Sequence, residues 1–453
     1  MKSIRILFLF ILFFSASLFA TVIKHDYPRI CPRSDEYNVK IDGGRAFVYH
    51  TSAGNFVSFE TDSEVTIQVE TPRKSRNINV LPRRLDINPG KEDNTFSFQL
   101  PVGEKVLIEI DNLEPLFVYS NTIAVNKPNP EAPGVRYYKS GQVYEVGQLK
   151  LTDNETLYIE GGAVVRGTVL ASSAKNVHIF GYGVLDGGYF RQYGEHSHHV
   201  RLEDCRDARV EDIIMIEPPG WMLVLYFSEN IAINNIKELG EGAGTDGVDI
   251  VGSRHVRIEN SIMRNGDDCI VIKFFVRDNY IEPVLNKIEG PSDIEVRGCS
   301  LQANNGQVFE IGHELIVNPV KDIRFIDCDV LGAHGHAGVF GIHNCDGATV
   351  SDVLYQDIRV DHYYSKLIDM RIIKSRWSKE DKIGYVNNVV FKDIKVTSSI
   401  YNPGYSISLI GGYDDQHQIN NVTIEDFYIN GVKVTNADQL DLYVKQANHV
   451  VIK

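Results

Sequence analysis

Apolar and polar positions alternate in short runs along most of the chain, and the rule that spaces these runs changes once. Up to about residue 120 the runs are AFVYH (46–50), VTIQVE (65–70), FSFQL (96–100) and KVLIEID (105–111), with Gly, Pro, Asn and Asp between them. A period of two with frequent turn residues predicts half-buried strands, and over 21–125 it predicts a small antiparallel β-sandwich. The proline-bearing stretch NKPNPEAPGVRYY then predicts a linker over 126–136. From 137 to 453 a phrase recurs: Asp, Asn or His, an alternating strand, then Asp, Asn or Gly and another short strand. It stands in NVHIFGYGVLDG (176–187), NIAINNIKEL (230–239), HVRIENSIM (255–263), DIEVRGCSL (293–301) and DIRFIDCDV (322–330), and continues in DVLYQDIRV (352–360), NVVFKDIKV (388–396) and NVTIEDFYI (421–429). Starts roughly 22 to 38 residues apart fall in the range of repeat architectures. No amphipathic helical repeat accompanies them, so the expectation is an all-β chain: a β-sandwich followed by a parallel β-helix whose coils stack.

In such a stack, equivalent positions of neighbouring coils lie about 4.8 Å apart. Cys299 and Cys328 share a slot in successive phrases, so they are expected to stack, either as a disulfide or as two thiols. The same geometry bears on TDGVDIVGSRHVRIENSIMRNGDDCIVIK (245–273). Asp246 and Asp267 are about one coil apart, which would gather Asp246, Asp267 and Asp268 into one acidic patch. A lone Asp at a coil corner caps a turn or binds Ca²⁺. Three converging carboxyls instead raise one another's pKa, so that one keeps a proton near neutrality. A neutral acid beside an ionised base is what glycosidic cleavage requires.

Gly244-Thr245-Asp246, Gly266-Asp267-Asp268-Cys269 and Gly312-His313-Glu314 resemble the Asn-Thr-Asp, Gly-Asp-Asp-Cys and Gly-His-Gly blocks of the polygalacturonase family of glycoside hydrolases. The resemblance covers about residues 137–453. It implies a right-handed parallel β-helix and hydrolysis with inversion, Asp267 as general acid, Asp246 and Asp268 activating water, and His313 supporting the acid. The chain departs from the pattern in three ways. Glu314 stands where the third block has Gly. FFVRDNYIEPVLNKIEGP (274–291) looks inserted, as a lid, a subsite wall or a surface loop. The family's Arg-Ile-Lys block, which grips a substrate carboxylate, is replaced by GVFGIHN (338–344), leaving His343 as the cation there, with Arg371 one coil later. The N-terminal sandwich resembles that of the related dextranase and isopullulanase family, which acts on neutral α-glucans, so both a uronate and a neutral glycan remain open.

Composition narrows the remaining choices. The opening MKSIRILFLFILFFSASLFA has the form of a secretory signal peptide ending at Ala20. Its removal takes Lys2 and Arg5 and no acid, moving the net charge from −14 to −16. That balance disfavours nucleic acid and anionic membranes as partners, and no later segment approaches a membrane span. The expected partner is a polysaccharide or oligosaccharide, and the expected compartment is periplasmic, surface or extracellular. Six cysteines without a C-x-x-C pair argue against structural zinc and read mostly as small buried hydrophobes. His334, His336 and His343 read as cleft-lining groups rather than metal ligands, and no cofactor is expected. Trp221, Lys273, Glu314 and His343 are the candidate substrate-binding residues, with Trp221 as a stacking surface or a packing residue. Tyr280, Tyr363, Tyr364 and Tyr413 are further candidate sugar platforms.

Overall fold

The computed structural model describes residues 20–188, 190, 198–276, 289–398 and 406–453. The signal-peptide stretch, Tyr280 and most of the 274–291 insertion lie outside the described residues. Between Val22 and Thr122 two sheets pack face to face, one of six strands and one of five. Val39, Ile67, Val69, Phe98, Val106 and Val118 fill the space between them. VTIQVE forms the strand Val65–Glu70, while AFVYH is extended into a ladder only at Tyr49–Thr51. The pairing departs from antiparallel at Gly54–Thr61 and Leu116–Thr122, which run parallel. The chain between them crosses to the other sheet before returning, which is the long connection a parallel pair needs.

From Val135 a single sheet of 31 strands winds to the C-terminus. Through the middle of this domain each coil gives three strands. One face runs through Trp221–Tyr226, Val248–Val251, Ile270–Phe274, Phe309–Leu315, Gly338–Asn344 and Lys366–Ile372. A second runs through Glu229–Asn234, Arg254–Glu259, Ser292–Arg297 and Val320–Ile326, and a third through Ile214–Ile216, Lys237–Leu239, Ile262–Asn265 and Ser300–Ala303. Neighbouring coils pair in parallel, which is a parallel β-helix.

The recurring phrase has a backbone cause. Asn230, His255, Asp293, Asp322, Asp352, Asn388 and Asn421, which open the second-face strands, all have φ between 50° and 60°. So do Asn235, Asn260, Asp327, Asp357, Asp393 and Asp426, which close their phrases. Left-handed backbone is tolerated best by Gly, Asn and Asp, so these residues mark the corners where the chain turns between faces. Between corners, alternate residues point inward. Phe325, Tyr355 and Phe391 stand opposite one another in three successive coils and stack at 5.0 Å with their planes 6–7° apart. All six cysteines are buried free thiols; Cys328 has its pKa raised by burial and by its neighbour Cys299.

The sandwich lies against the third face. Tyr27, Tyr49, Phe56 and Leu107 share one apolar cluster with Ile214, Ile216, Leu239 and Ile262. At its edge Arg84 bridges Glu104 of the sandwich at 2.9 Å and Asp329 of the β-helix at 2.7 Å. The first face is left uncovered by the sandwich, and it carries the acids.

Candidate active site

Val248 faces Ile270 and Val251 faces Lys273, a step of 22 residues. The sequence spacing places Asp246 beside the Asp267–Asp268 pair without choosing between its two members. The ladder sets Asp246 beside Asp268 and Thr245 beside Asp267, as the Gly247 N–H to Asp268 carbonyl bond at 2.9 Å shows. All three carboxyls sit at the corner leading into the first face. Thr245 ties the two turns together: its hydroxyl donates to the Gly242 carbonyl at 2.8 Å and accepts the Gly266 N–H at 3.1 Å. Asp267 accepts the Gly244 N–H at 2.8 Å, and Asp268 accepts the Gln307 N–H from the next coil. Asp246 is 5% exposed, while Asp267 and Asp268 are partly open.

Burial and the charge of Asp249 push the Asp246 pKa well above the usual carboxylate range, against the pull of Lys273. Burial, with Glu310 and Asp267 nearby, lifts Asp268 to about 8. Burial and crowding therefore disfavour ionisation of both Asp246 and Asp268.

Behind it runs a second line of acids that the sequence reading missed. Asp249, Glu310 and Asp369 are fully buried on the first face, each between two apolar neighbours in its strand. Each is matched by a base. Lys273 Nζ lies 2.7 Å from Asp249 and 3.5 Å from Asp246, so its pKa is raised even though burial opposes its charge. His343 lies 2.9 Å from Glu310 and 3.3 Å from Asp369; these acids overcome burial and hold its pKa at about 9. Arg371 reaches Asp369 at 2.6 Å, as does Lys366 at 2.9 Å. The available signal was a single acid between large apolar residues, in VDI, FEI and IDM.

Trp221 flanks the acids as expected from its coil: Lys273 Nζ lies 4.0 Å from its ring centroid, and His198 stacks on it at 5.2 Å. His313 is placed differently from its expected role. In the next coil Gln307 faces Asp268, so Asn305-Gly306 abuts the acid pair and Asn305 donates to the Gly266 carbonyl at 3.3 Å. His313 stands six residues beyond Gln307, stacked on His343 at 4.7 Å and 3.6 Å from the Cys345 sulfur. Burial lowers its pKa. Its hydrogen bond goes to Cys345 and not to the acid pair, because the ladder that sets Ile311 opposite Ile272 already places His313 beyond the acids. Glu314 is partly buried, 3.9 Å from Lys379. Tyr364 and Tyr413 are exposed, and Tyr363 is buried in the core, which leaves it no free ring face.

Glu310, His313 and His343 offer ligand atoms within 4.8 Å of one another, the geometry of a candidate metal cluster among the described residues. The two imidazoles are 12° from parallel. A metal must lie close to the plane of each ring it binds, and stacked rings share no such point. The trio fits hydrogen bonding better than chelation. A separate groove of about 770 Å³, lined by Tyr158, Phe180, Tyr182 and Asn235, lies between the sandwich and the β-helix and contains none of the acids.

A parallel β-helix bearing a three-carboxyl patch and an adjacent aromatic defines a carbohydrate-active class. Residues 162–437 match the family model described as glycosyl hydrolases family 28, and the chain belongs to that family. Its relatives include a polygalacturonase of Gossypium barbadense, 24% identical over 245 residues, covering 50% of this chain and 56% of that protein. An exopolygalacturonase of Zea mays is 24% identical over 243 residues, covering 49% and 55%. The chain thus spans about half the length of the curated relatives it matches. Among solved structures, Dex49A from Penicillium minioluteum superposes with a TM-score of 0.71 at 13% identity, over 95% of this chain and 96% of that one. A hyperthermoactive exopolygalacturonase from Thermotoga maritima gives 0.51 at 17%, over 71% and 84%. At these identities the structures report a shared fold.

Proposed function

We propose that this chain is an exported glycoside hydrolase that cleaves a polysaccharide or oligosaccharide by direct displacement with water. The observation that carries the reading is the convergence of Asp246, Asp267 and Asp268 at one corner, two of them with strongly raised pKa values. In the reaction the bond from the anomeric carbon to the leaving oxygen breaks and the oxygen of water bonds to that carbon. Asp267 gives its proton to the leaving oxygen, and the proton of the attacking water passes to whichever of Asp246 and Asp268 is ionised. Stacked coils bring carboxyls to about 5 Å, a spacing associated with retention. Inversion follows from the family, and two acids holding one water make it workable.

One observation favours a second assignment within the same reaction. Asp268 is the member lifted to about 8, so it is a second candidate donor. Aryl glycosides separate the two. The variant lacking the acid keeps much of its rate on a 2,4-dinitrophenyl leaving group, which needs no proton, and the variant lacking the base does not. Asp267→Asn is expected to lose about 10²- to 10⁴-fold on natural glycans and less on the activated substrate. A wild-type enzyme that releases unsaturated products would overturn hydrolysis altogether.

A further inference from the structure

We infer that the substrate is a neutral glycan, one without carboxylate groups at the subsites beside the acids; this rests on the hydrolase reading above. The reason lies in how the charges of the first face are matched. To hold a uronate, a cleft needs a cation whose charge is not already taken by a fixed carboxylate, and a bidentate Arg serves best. Apart from Lys374, whose ammonium is held by the Cys345, Glu380 and Lys382 carbonyls, the cations ion-paired in this region are Arg264, Lys273, His343, Lys366, Arg371 and Lys379. Each has a carboxylate partner. Arg264 meets Glu241 at 2.7 Å, Lys273 meets Asp249 at 2.7 Å, and His343 meets Glu310 at 2.9 Å. Lys366 and Arg371 share Asp369, at 2.9 and 2.6 Å, while Lys379 lies 3.9 Å from Glu314.

Three of these partners, Asp249, Glu310 and Asp369, are 0% exposed. A carboxylate inside a protein gives up its cation at a steep penalty, because the abandoned charge stays buried. A uronate could bind Lys273 or Arg371 only as a second anion beside the first.

The same groups suit hydroxyls. The partly open carboxylates of Glu241 and Glu314 can accept from sugar O–H groups, and the N–H groups of Lys366 and Arg371 can donate to them. The relatives' names put galacturonan first among candidate polymers; the matched charges of this cleft select against it.

Polygalacturonic acid and its carboxyl-reduced form share linkage and differ only in charge, so this pair is the test, extended by uncharged α-glucan oligosaccharides. Binding is measured by calorimetry on Asp267→Asn, with Asp246→Asn as the alternative should the first not fold, and products are measured with wild type. At least 10-fold tighter binding of an uncharged oligosaccharide than of oligogalacturonate is expected. Equal or tighter binding of oligogalacturonate, or binding of neither, overturns the inference. Neutral binding with no bond cleaved by wild type overturns the hydrolase reading and leaves the charge preference standing. As a second arm, Asp369→Asn releases Arg371 and Lys366 and should raise oligogalacturonate affinity several-fold at low salt. An unchanged affinity there would count against the charge-matching argument.

Discussion

Asp268 keeps its proton up to about pH 8 because burial and the charges of Glu310 and Asp267 disfavour the anion. An unfolded Asp titrates near 3.9, so between about pH 4 and 8 the folded chain binds the extra proton. Stability therefore falls as pH rises through that window. Asp268→Asn should melt with wild type below pH 4 and a few degrees above it beyond pH 8; parallel melting curves at all pH values would contradict the assignment. His343 gives a slope of the same sign, here from a stabilising charge. Its pKa is raised to about 9, so its contribution is full below about 6.5 and lost as pH rises through 9. Glu310→Gln removes one of its buried partners and should destabilise by about 3 kcal/mol at pH 6, read from urea midpoints. The trio of acids was legible in the sequence because its spacing matched a coil. Asp249, Glu310 and Asp369 were not, since alternation marks them only as facing outward. Outward on an isolated strand means solvent; on this face it means a cleft wall dense enough to bury them.

At the scale of the element, the corners decide most. The Asp and Asn residues that made the repeat visible are the residues with positive φ, so the phrase encoded turns and the strands followed from what lay between. Asp352 is exposed at φ 58° and accepts from Asn388 at 3.1 Å. Asp352→Val should lose about 1–2 kcal/mol through backbone strain alone, whereas Asp352→Gly should stay close to wild type; equal losses in urea would remove the backbone explanation. Gly306 illustrates what the sequence could not give. A Cβ there would stand 2.2 Å from the Asp268 nitrogen and 2.4 Å from the Asp267 carbonyl carbon. Gly306→Ala should keep the circular dichroism of wild type and lose about 10²-fold in turnover by displacing the acid pair. A Gly-His pair drew the eye to His313, six residues too far, because a coil's register depends on loop length that a motif does not reveal.

For the whole molecule, the sandwich covers apolar surface on the third face. Deleting residues 21–125 would uncover Ile214, Ile216, Leu239 and Ile262, and the remaining β-helix is expected to aggregate on size exclusion. A monodisperse, folded fragment would show that this contact is dispensable. Lys237 lies within the same region, fully buried, with its ammonium donating to the Asp212 carbonyl at 3.0 Å and 5.2 Å from the Tyr182 ring; burial lowers its pKa well below the usual value. The sandwich strands were readable one by one, but their docking was not, since the residues that meet across it come from distant parts of the chain.

The coil step is 22 residues from Val248 to Ile270 and 39 from Ile270 to Phe309, yet both steps close on the same ladder. The added length is therefore absorbed before the ladder resumes at the pair of Ile270 with Phe309, and the register shifts only later, at the bulge between Ile272 and Phe274. Such a scaffold can be spliced at the rim beside its reactive acids without a frameshift in the wall that holds them. New recognition loops can come and go there while the chemistry keeps its footing.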